Sequence, residues 1–213
     1  MVEPSTTRKK SRFWLYLPFV LLLILVGAWT GYWLFAKAQI DKGIDQWIAE
    51  PRALGAEIEY SSKSLGGFPY RFELVVDDPV YAAPAAPRWE GEQLRLVMQP
   101  WNWQHVIAYS PGRNVLTEAD GLRQTLTLDK SSAVSVSWNS DTFRRIGVQM
   151  GSATALIEGE SYEAANFSLN LAPRNGAETD LMIALQWDRL TINGAPEGAE
   201  FLGDTLGPSR LIG

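Results

Sequence analysis

Residues 13–36 form an uninterrupted run of 24 residues without a charged side chain, and this run limits the possible folds more than any other part of the sequence. As a helix rising about 1.5 Å per residue, it would reach roughly 36 Å, which is enough to cross a hydrocarbon core of about 30 Å. Aromatic residues suited to the two membrane interfaces lie near its ends: Trp14, Tyr16, Trp29, Tyr32 and Trp33. The run therefore predicts a transmembrane helix.

The charges that flank this run predict its orientation. Four basic residues directly precede it: Arg8, Lys9, Lys10 and Arg12. By the positive-inside rule, residues 1–12 form a cytoplasmic tail, and everything after the span lies in the periplasm of a bacterium. We therefore predict a single-pass protein of the bacterial inner membrane, attached through its N-terminal helix. A cleaved signal peptide stays open as an alternative, because residues 36–38 have the small-x-small form of a processing site.

The helical pattern continues past the span. Apolar residues recur at helical spacing over residues 37–50: Ile40, Ile44, Trp47 and Ile48. Pro51 is a stop signal, so an amphipathic helix should end at about Glu50. Its apolar side would rest on lipid headgroups or pack against the domain that follows, and packing is the interpretation we favour.

From residue 57 onward the apolar pattern changes to period two, which is typical of strands. The predicted strands are 57–63, 68–76, 93–98, 105–109, 122–128, 133–138, 146–150, 154–157, 164–171 and 180–192. No helical segment long enough for a parallel crossover intervenes, so residues 51–213 should form a mostly antiparallel, mainly β domain, either a curved sheet wrapped on the helix or a sandwich. Residues 82–87 are interpreted as an exposed Pro/Ala-rich loop. Beyond residue 193 the strand pattern ends, and no predicted element buries Leu202, Leu206 and Leu211. The possibility that the domain is incomplete at its C-terminal end therefore stays open.

Alternation along these strands places many large apolar residues on one face. They are Leu126, Leu128, Val134, Val136, Trp138, Phe167, Leu169, Leu171, Leu181, Ile183, Leu185 and Trp187. If the strands join in one sheet, this face is larger than the short amphipathic helix covers, and a lipid or a partner would occupy it. In a sandwich, a second sheet would seal the face instead. The sequence leaves both arrangements open.

Composition removes several classes of function. A net charge of −5 argues against nucleic-acid binding, which depends on clustered Lys and Arg. With no Cys and a single His, thiolate nucleophiles, zinc–thiolate sites and paired-His metal motifs are excluded. Common nucleophile and nucleotide-binding motifs are missing, and paired carboxylates and His105 are expected to be structural. We therefore expect no enzyme, no cofactor and no bound metal.

The most distinctive local string opens the second predicted strand: Gly66, Gly67, Phe68, Pro69, Tyr70 and Arg71. Two glycines permit a tight turn. Proline lacks a backbone N–H, and it is tolerated near the start of a strand because no ladder hydrogen bond is needed there. We predict that this string sets the turn and the register of an early hairpin. If Gly67 has a positive φ, a β-branched residue in its place should strain the turn.

Together with the anchor ending at residues 29–33 and the stretch 102–108, this string resembles the alphaproteobacterial domain-of-unknown-function family numbered 2125. The resemblance implies an N-terminally anchored envelope protein without an assigned activity. A weaker similarity connects the turn and the anchor-plus-sheet layout to AsmA-like envelope proteins, whose curved sheets are associated with lipid handling. We expect a periplasmic protein that binds lipid or another apolar ligand on its sheet. The alternative is a structural or protein-interaction module of the cell envelope.

Overall fold

The computed structural model describes residues 13–84, 86–140, 142–174, 181–193 and 205–212. The predicted cytoplasmic tail and Leu202 lie outside the described residues. In the described residues one helix, α1 (Phe13–Ala53), is followed by a large antiparallel sheet, so the prediction of a mainly β protein with an N-terminal helix is confirmed.

The helix α1 continues without interruption from the apolar run into the amphipathic stretch. It ends at Ala53, and Pro51 lies in its last turn. Residues from Leu15 onward have the length and the mean hydropathy, 2.0 in the most apolar window, of a membrane-crossing segment, a criterion that both an anchor and a signal sequence meet. The assignment of residues 13–36 to a span stays a prediction.

Sixteen strands follow the helix in the described residues. They are β1 (Glu57–Glu59), β2 (Ser62–Gly66), β3 (Phe72–Asp77), β4 (Val80–Ala83), β5 (Ala86–Gly91), β6 (Gln93–Gln99), β7 (Asn102–Tyr109), β8 (Gly112–Thr117), β9 (Arg123–Leu128), β10 (Ala133–Asn139), β11 (Thr142–Ile157), β12 (Glu160–Pro173), β13 (Leu181–Trp187), β14 (Arg189–Asn193), β15 (Thr205–Leu206) and β16 (Ser209–Ile212).

These strands belong to one sheet with a simple topology. The first ten strands form five long strands, each of which is interrupted once. The two halves of a long strand run in line and are consecutive in the chain: β1 and β2, β3 and β4, β5 and β6, β7 and β8, and β9 and β10. In contrast, β11 and β12 are continuous long strands. β13 and β14, and β15 and β16, follow the same rule, since each pair lies along one long neighbour. Every long strand pairs antiparallel with the next one in the chain. Of the two arrangements left open by the sequence, the described strands adopt the single sheet.

The interruptions lie side by side and form a crease across the sheet. Residues at the crease are mostly turn formers, among them Asp78, Gly112 and Asn166, which have φ values of 48°, 84° and 49°. Hydrogen bonds follow the crease, as where the Asp78 amide donates to the Glu92 carbonyl. We name the half of the sheet that contains β2, β3, β6, β7, β10, β13 and β16 the proximal half, and the half that contains β1, β4, β5, β8, β9, β14 and β15 the distal half.

Two carboxylates at the crease accept hydrogen bonds that favour their charged forms. Hydroxyl groups of Ser131 and Ser132 donate to Asp129, and this lowers the pKa of that carboxyl below its ordinary 3.8. The side chains of Ser62 and Gln93 lower the pKa of Asp77 in the same way.

A pH dependence follows from the lowered pKa of Asp129. A carboxyl with a depressed folded-state pKa contributes stability above its unfolded-state pKa, and this contribution is lost as the pH falls through the folded-state pKa. Below about pH 4, we expect the melting temperature of the wild type to decrease with falling pH more steeply than that of Asp129→Asn. Thermal melts of the full chain in detergent between neutral and acidic pH measure this, and parallel pH profiles would contradict it.

The second half of α1 packs on the proximal half of the sheet. Trp33 and Ala36 are buried with Leu65, Phe72 and Leu74, and the stacked rings of Trp33 and Phe72 are 5.3 Å apart. Ile40 and Ile44 pack against this core. Ile40 and Ile44 of the amphipathic stretch therefore pack against the domain, whereas Trp47 of the same stretch is 67% exposed.

An ion pair holds the same part of the helix on β2. The Lys63 ammonium lies 2.6 Å from a carboxylate oxygen of Asp45 and 3.5 Å from one of Asp41. The hydrogen bond to Asp45, together with the charges of both carboxylates, raises the pKa of Lys63.

Several predicted strand boundaries are wrong. Residues 146–150 and 154–157 belong to one strand, β11, because Gly151 lets the chain continue through the crease. The predicted loop 82–87 is a hairpin in which β4 runs to Ala83 and β5 resumes at Ala86, since proline is tolerated in a turn and at the first residues of a strand. The strand predicted from Phe68 begins at Phe72, and beyond residue 193 the chain adds β15 and β16.

Candidate functional site: an apolar groove

A continuous row of apolar side chains crosses the proximal half of the sheet. Directly paired residues on nine neighbouring strands form it: Leu65, Leu74, Leu96, Ala108, Val134, Val148, Leu169, Leu185 and Leu211. A second row beside it runs from Phe72 through Met98, Val106, Val136, Ile146 and Leu171 to Ile183. The alternation predicted from the sequence thus produces one apolar face, which we call the groove face.

The crease brings the apolar side of the distal half towards the groove face. Leu128, which pairs with Ala153 in the distal half, lines the same small cavity as Val148 and Met150 of the proximal half. The in-line halves of each strand therefore present their apolar residues to a common interior. The side-chain alternation is shifted where residues such as Asn166 interrupt the strand.

The largest apolar space lies where the helix, the proximal half and the distal half meet. This cavity encloses about 610 Å³, which is within the roughly 300–1,000 Å³ range of ligand-binding sites. The helix contributes Gly43, Ile44, Trp47, Ile48 and Pro51 to its walls. The sheet contributes Ile58, Glu59, Tyr60, Leu74, Val76, Pro79, Val80, Tyr81, Trp89, Leu94 and Leu96.

Few polar groups line this cavity. Glu59 is the one carboxylate among its walls, and it belongs to the short edge strand β1. The indole NH of Trp89 donates a hydrogen bond to the side-chain oxygen of Asn114, with 3.3 Å between Nε1 and Oδ1. The cavity thus matches an apolar ligand and offers few partners to a polar one.

The apolar interior continues from this cavity towards the middle of the sheet. A smaller cavity of about 90 Å³ begins at Leu94, which lines both spaces, and reaches Val134 and Val148. Beyond that point the groove face opens to solvent, since Val134, Ile183 and Leu211 are 39%, 42% and 57% exposed. Large apolar faces left open in this way indicate binding surfaces.

Ile183→Asp tests whether the groove face is open. At 42% exposure the new carboxylate stays hydrated, so we expect a loss of about 1 kcal/mol or less in the free energy of unfolding. Leu74→Asp on the same face is the matched control, because Leu74 is buried and an unpaired buried charge costs about 4 kcal/mol or more. Denaturant unfolding of the full chain in detergent measures both, and equal losses would show that the face is sealed.

The string singled out in the sequence lies at one end of the sheet. Gly66 is the last residue of β2, and residues from Gly67 to Arg71 form the turn to β3, in which the Arg71 amide donates to the Gly67 carbonyl. Gly67 has a φ of +98°, which meets the condition for strain by a β-branched residue, and the Phe68–Pro69 peptide bond is cis. The turn is not part of the cavity. It contacts the helix instead, where Trp33 Nε1 donates to the Arg71 carbonyl at 3.2 Å.

Gly67→Val is expected to destabilise this turn. A Cβ at Gly67 would lie 2.7 Å from the Arg71 carbonyl oxygen, and its φ is unfavourable for a β-branched residue. We expect a loss of about 1 to 3 kcal/mol. Gly66→Val is the matched control, since a Cβ there meets nothing within 4 Å. Unchanged melting of Gly67→Val would mean that the string has a purpose other than folding.

Other candidate residues do not assemble into a site. His105 lies opposite Ser137 on the outer face of the proximal half, next to polar residues such as Ser168 and Asn170. In the part of the chain that the structure describes, no three His, Asp or Glu side chains come together in a way that would hold a metal ion. The cavity itself could not be located from sequence, because its walls come from segments as distant as residues 43 and 96.

Fold and cavity together define a class: a single-helix β protein whose creased meander sheet carries an apolar groove. A profile of the family described as "Uncharacterized protein conserved in bacteria (DUF2125)" matches residues 33–209, and the chain belongs to this family. The match supports the expected family but neither its narrower alphaproteobacterial scope nor the AsmA-like similarity. Comparisons with curated proteins and with solved structures give no match.

Proposed function

We propose that this protein is anchored in the bacterial inner membrane by α1 and holds the acyl chain of a lipid in its groove. The observation that carries the proposal is the cavity of about 610 Å³, with walls formed almost entirely by apolar side chains of the helix and both halves of the sheet. Such a space is a binding site for an apolar molecule by size and by chemistry.

The shape of the apolar interior favours a long ligand. From the cavity, the groove face continues past Leu94 across β7, β10 and β11 to the exposed Ile183 and Leu211. An extended hydrocarbon chain would lie along this path, with its polar end in solvent at the open side. A compact polar substrate would find few hydrogen-bonding groups there.

The proposed location rests on the sequence around the helix. The four basic residues before the apolar run favour a cytoplasmic N-terminus and a periplasmic sheet. The proposed role is binding rather than catalysis, because the described residues of the cavity walls supply no nucleophile paired with a base.

Native mass spectrometry of the full chain, extracted from bacterial membranes in a mild detergent, tests the proposal. We expect a population whose added mass corresponds to one membrane lipid and which loses that mass when the lipid is extracted. The proposal would be overturned if the full chain carried no bound lipid as isolated and still bound none after incubation with a fatty acid. Tight association with another protein through the groove face would support the alternative, an interaction module of the envelope.

A further inference from the structure

Exposed aromatic side chains mark two turns at the proximal end of the sheet. Phe68 and Tyr70 in the β2–β3 turn are 50% and 71% exposed, and Trp101 in the β6–β7 turn is 60% exposed. We call these three residues the aromatic tips. The three rings do not line the cavity, so the groove does not account for their exposed parts. One side of the Phe68 ring packs edge-on against the buried Trp33, with the ring centroids 5.4 Å apart.

Both turns are fixed to one level of the helix. Trp29 Nε1 donates a hydrogen bond of 3.0 Å to the Pro69 carbonyl, between Phe68 and Tyr70. The Tyr32 hydroxyl donates at 2.9 Å to the carbonyl of Pro100, the residue before Trp101. The rings of Trp29 and Trp101 are 6.4 Å apart. The aromatic tips therefore lie beside the helix at Trp29 and Tyr32.

Trp29 and Tyr32 lie where the exposed N-terminal part of α1, which we call the bare helix, ends. Large side chains from Leu15 to Val26 are mostly exposed, and contact with the sheet begins at Trp29. A helix needs about 20 residues to cross a hydrocarbon core of about 30 Å. Counted from Phe13, the minimum length ends at Tyr32, within the predicted span 13–36, so a bilayer crossed by this minimum length would have its boundary beside the aromatic tips.

The chemistry of the tips matches that boundary. Trp and Tyr rings prefer the headgroup region, where one side of the ring is apolar and the other is wet. At the same end of the sheet but farther along it, β10 ends at Asn139, Ser140 follows, and β11 begins at Thr142; these three described residues are not aromatic. Aromatic residues are thus exposed at the two turns beside the helix.

We propose that the aromatic tips insert into the headgroup region of the bilayer that α1 spans, so that the lipid surface is a second partner of the sheet. This inference rests on the proposed anchoring by α1 and is independent of what the cavity binds. The helix and the two turns then form three points of attachment. They hold the sheet at a fixed tilt rather than on a flexible tether.

Single nitroxide labels measure the depth of each position. The chain has no Cys, so each single-cysteine variant carries one label. Tyr70→Cys is the principal variant because Tyr70 is exposed, and Trp101→Cys is the second. Asp120→Cys, in the exposed β8–β9 turn at the opposite end of the sheet, is the control for solvent, and Leu22→Cys, in the bare helix, is the control for the membrane core. The full chain is reconstituted in vesicles of phosphatidylcholine and phosphatidylglycerol.

We expect labels at 70 and 101 to be several-fold less accessible to a water-soluble nickel chelate, relative to oxygen, than the label at 120. If label 22 is deep but labels 70 and 101 are as accessible to nickel as label 120, the tips do not insert and the inference is overturned, while the anchoring stands. If label 22 is itself exposed to nickel, the proposed anchoring fails and the inference with it.

Discussion

Gly43→Trp is expected to remove the bound lipid while leaving the protein folded. Gly43 lies in the wall of the cavity, and a Cβ there meets nothing within 4 Å, so the indole extends into free space at the helix side of the cavity. Replacing a glycine within a helix also removes its unfavourable helix propensity, about 1 kcal/mol relative to alanine. We therefore expect the bound-lipid fraction to fall about tenfold or more, which corresponds to about 1.4 kcal/mol or more of binding free energy.

Ala49→Trp is the matched control for this substitution. Ala49 is exposed on the same helix and does not line the cavity. Native mass spectrometry of both variants, prepared like the wild type, gives the lipid-bound fraction, and thermal melts show that both are folded. Equal lipid binding by Gly43→Trp and Ala49→Trp would place the lipid elsewhere, for example on the bare helix.

Phe72→Ala should cause the largest loss of stability among the substitutions that shorten a side chain. Phe72 is 2% exposed, stacks on Trp33 and has its ring 5.6 Å from that of Trp103, so it joins the helix to β3 and β7. Truncating a buried phenylalanine removes its apolar contacts and leaves a cavity, at a cost of about 3 to 5 kcal/mol.

Tyr70→Ala is the comparison for this second substitution. It also removes an aromatic ring, two residues away, but one that is 71% exposed, so the loss in detergent should be within about 0.5 kcal/mol. Denaturant unfolding of the full chain in detergent measures both variants. A loss below about 1 kcal/mol for Phe72→Ala would mean that the helix is not part of the folded unit.

The parts of the fold that were predicted depend on local periodicity. The uncharged run gave the helix, and the alternation of residues such as Leu169 and Leu171 gave a strand with one apolar face. Strand boundaries failed at the crease because an interrupted strand and a loop carry the same turn residues, as at Asp78 and Pro79. Among the strands that were missed, β5 and β8 escaped notice because Trp89, Val115 and Leu116 lie among polar residues.

The interface aromatics show a second limit of sequence reasoning. Trp29 and Tyr32 were interpreted as residues of a membrane belt, and the structure shows that their polar atoms bind the carbonyls of Pro69 and Pro100. Long-range hydrogen bonds of this kind leave no spacing signal, because the partners are 40 and 68 residues apart. The cavity was missed for the same reason, although the apolar face that forms part of it was predicted.

The meander topology relates the length of the groove face to the number of strands in the sheet. Neighbouring strands are about 4.8 Å apart, so nine strands in sequence give an apolar path of about 38 Å, and each additional hairpin would lengthen it by about 10 Å. Because every long strand pairs with the next one in the chain, hairpins could be gained or lost at the β15–β16 edge without disturbing the end that the helix covers. Under the proposed lipid-binding function, the longest hydrocarbon chain that a family member holds is expected to scale with its number of strands.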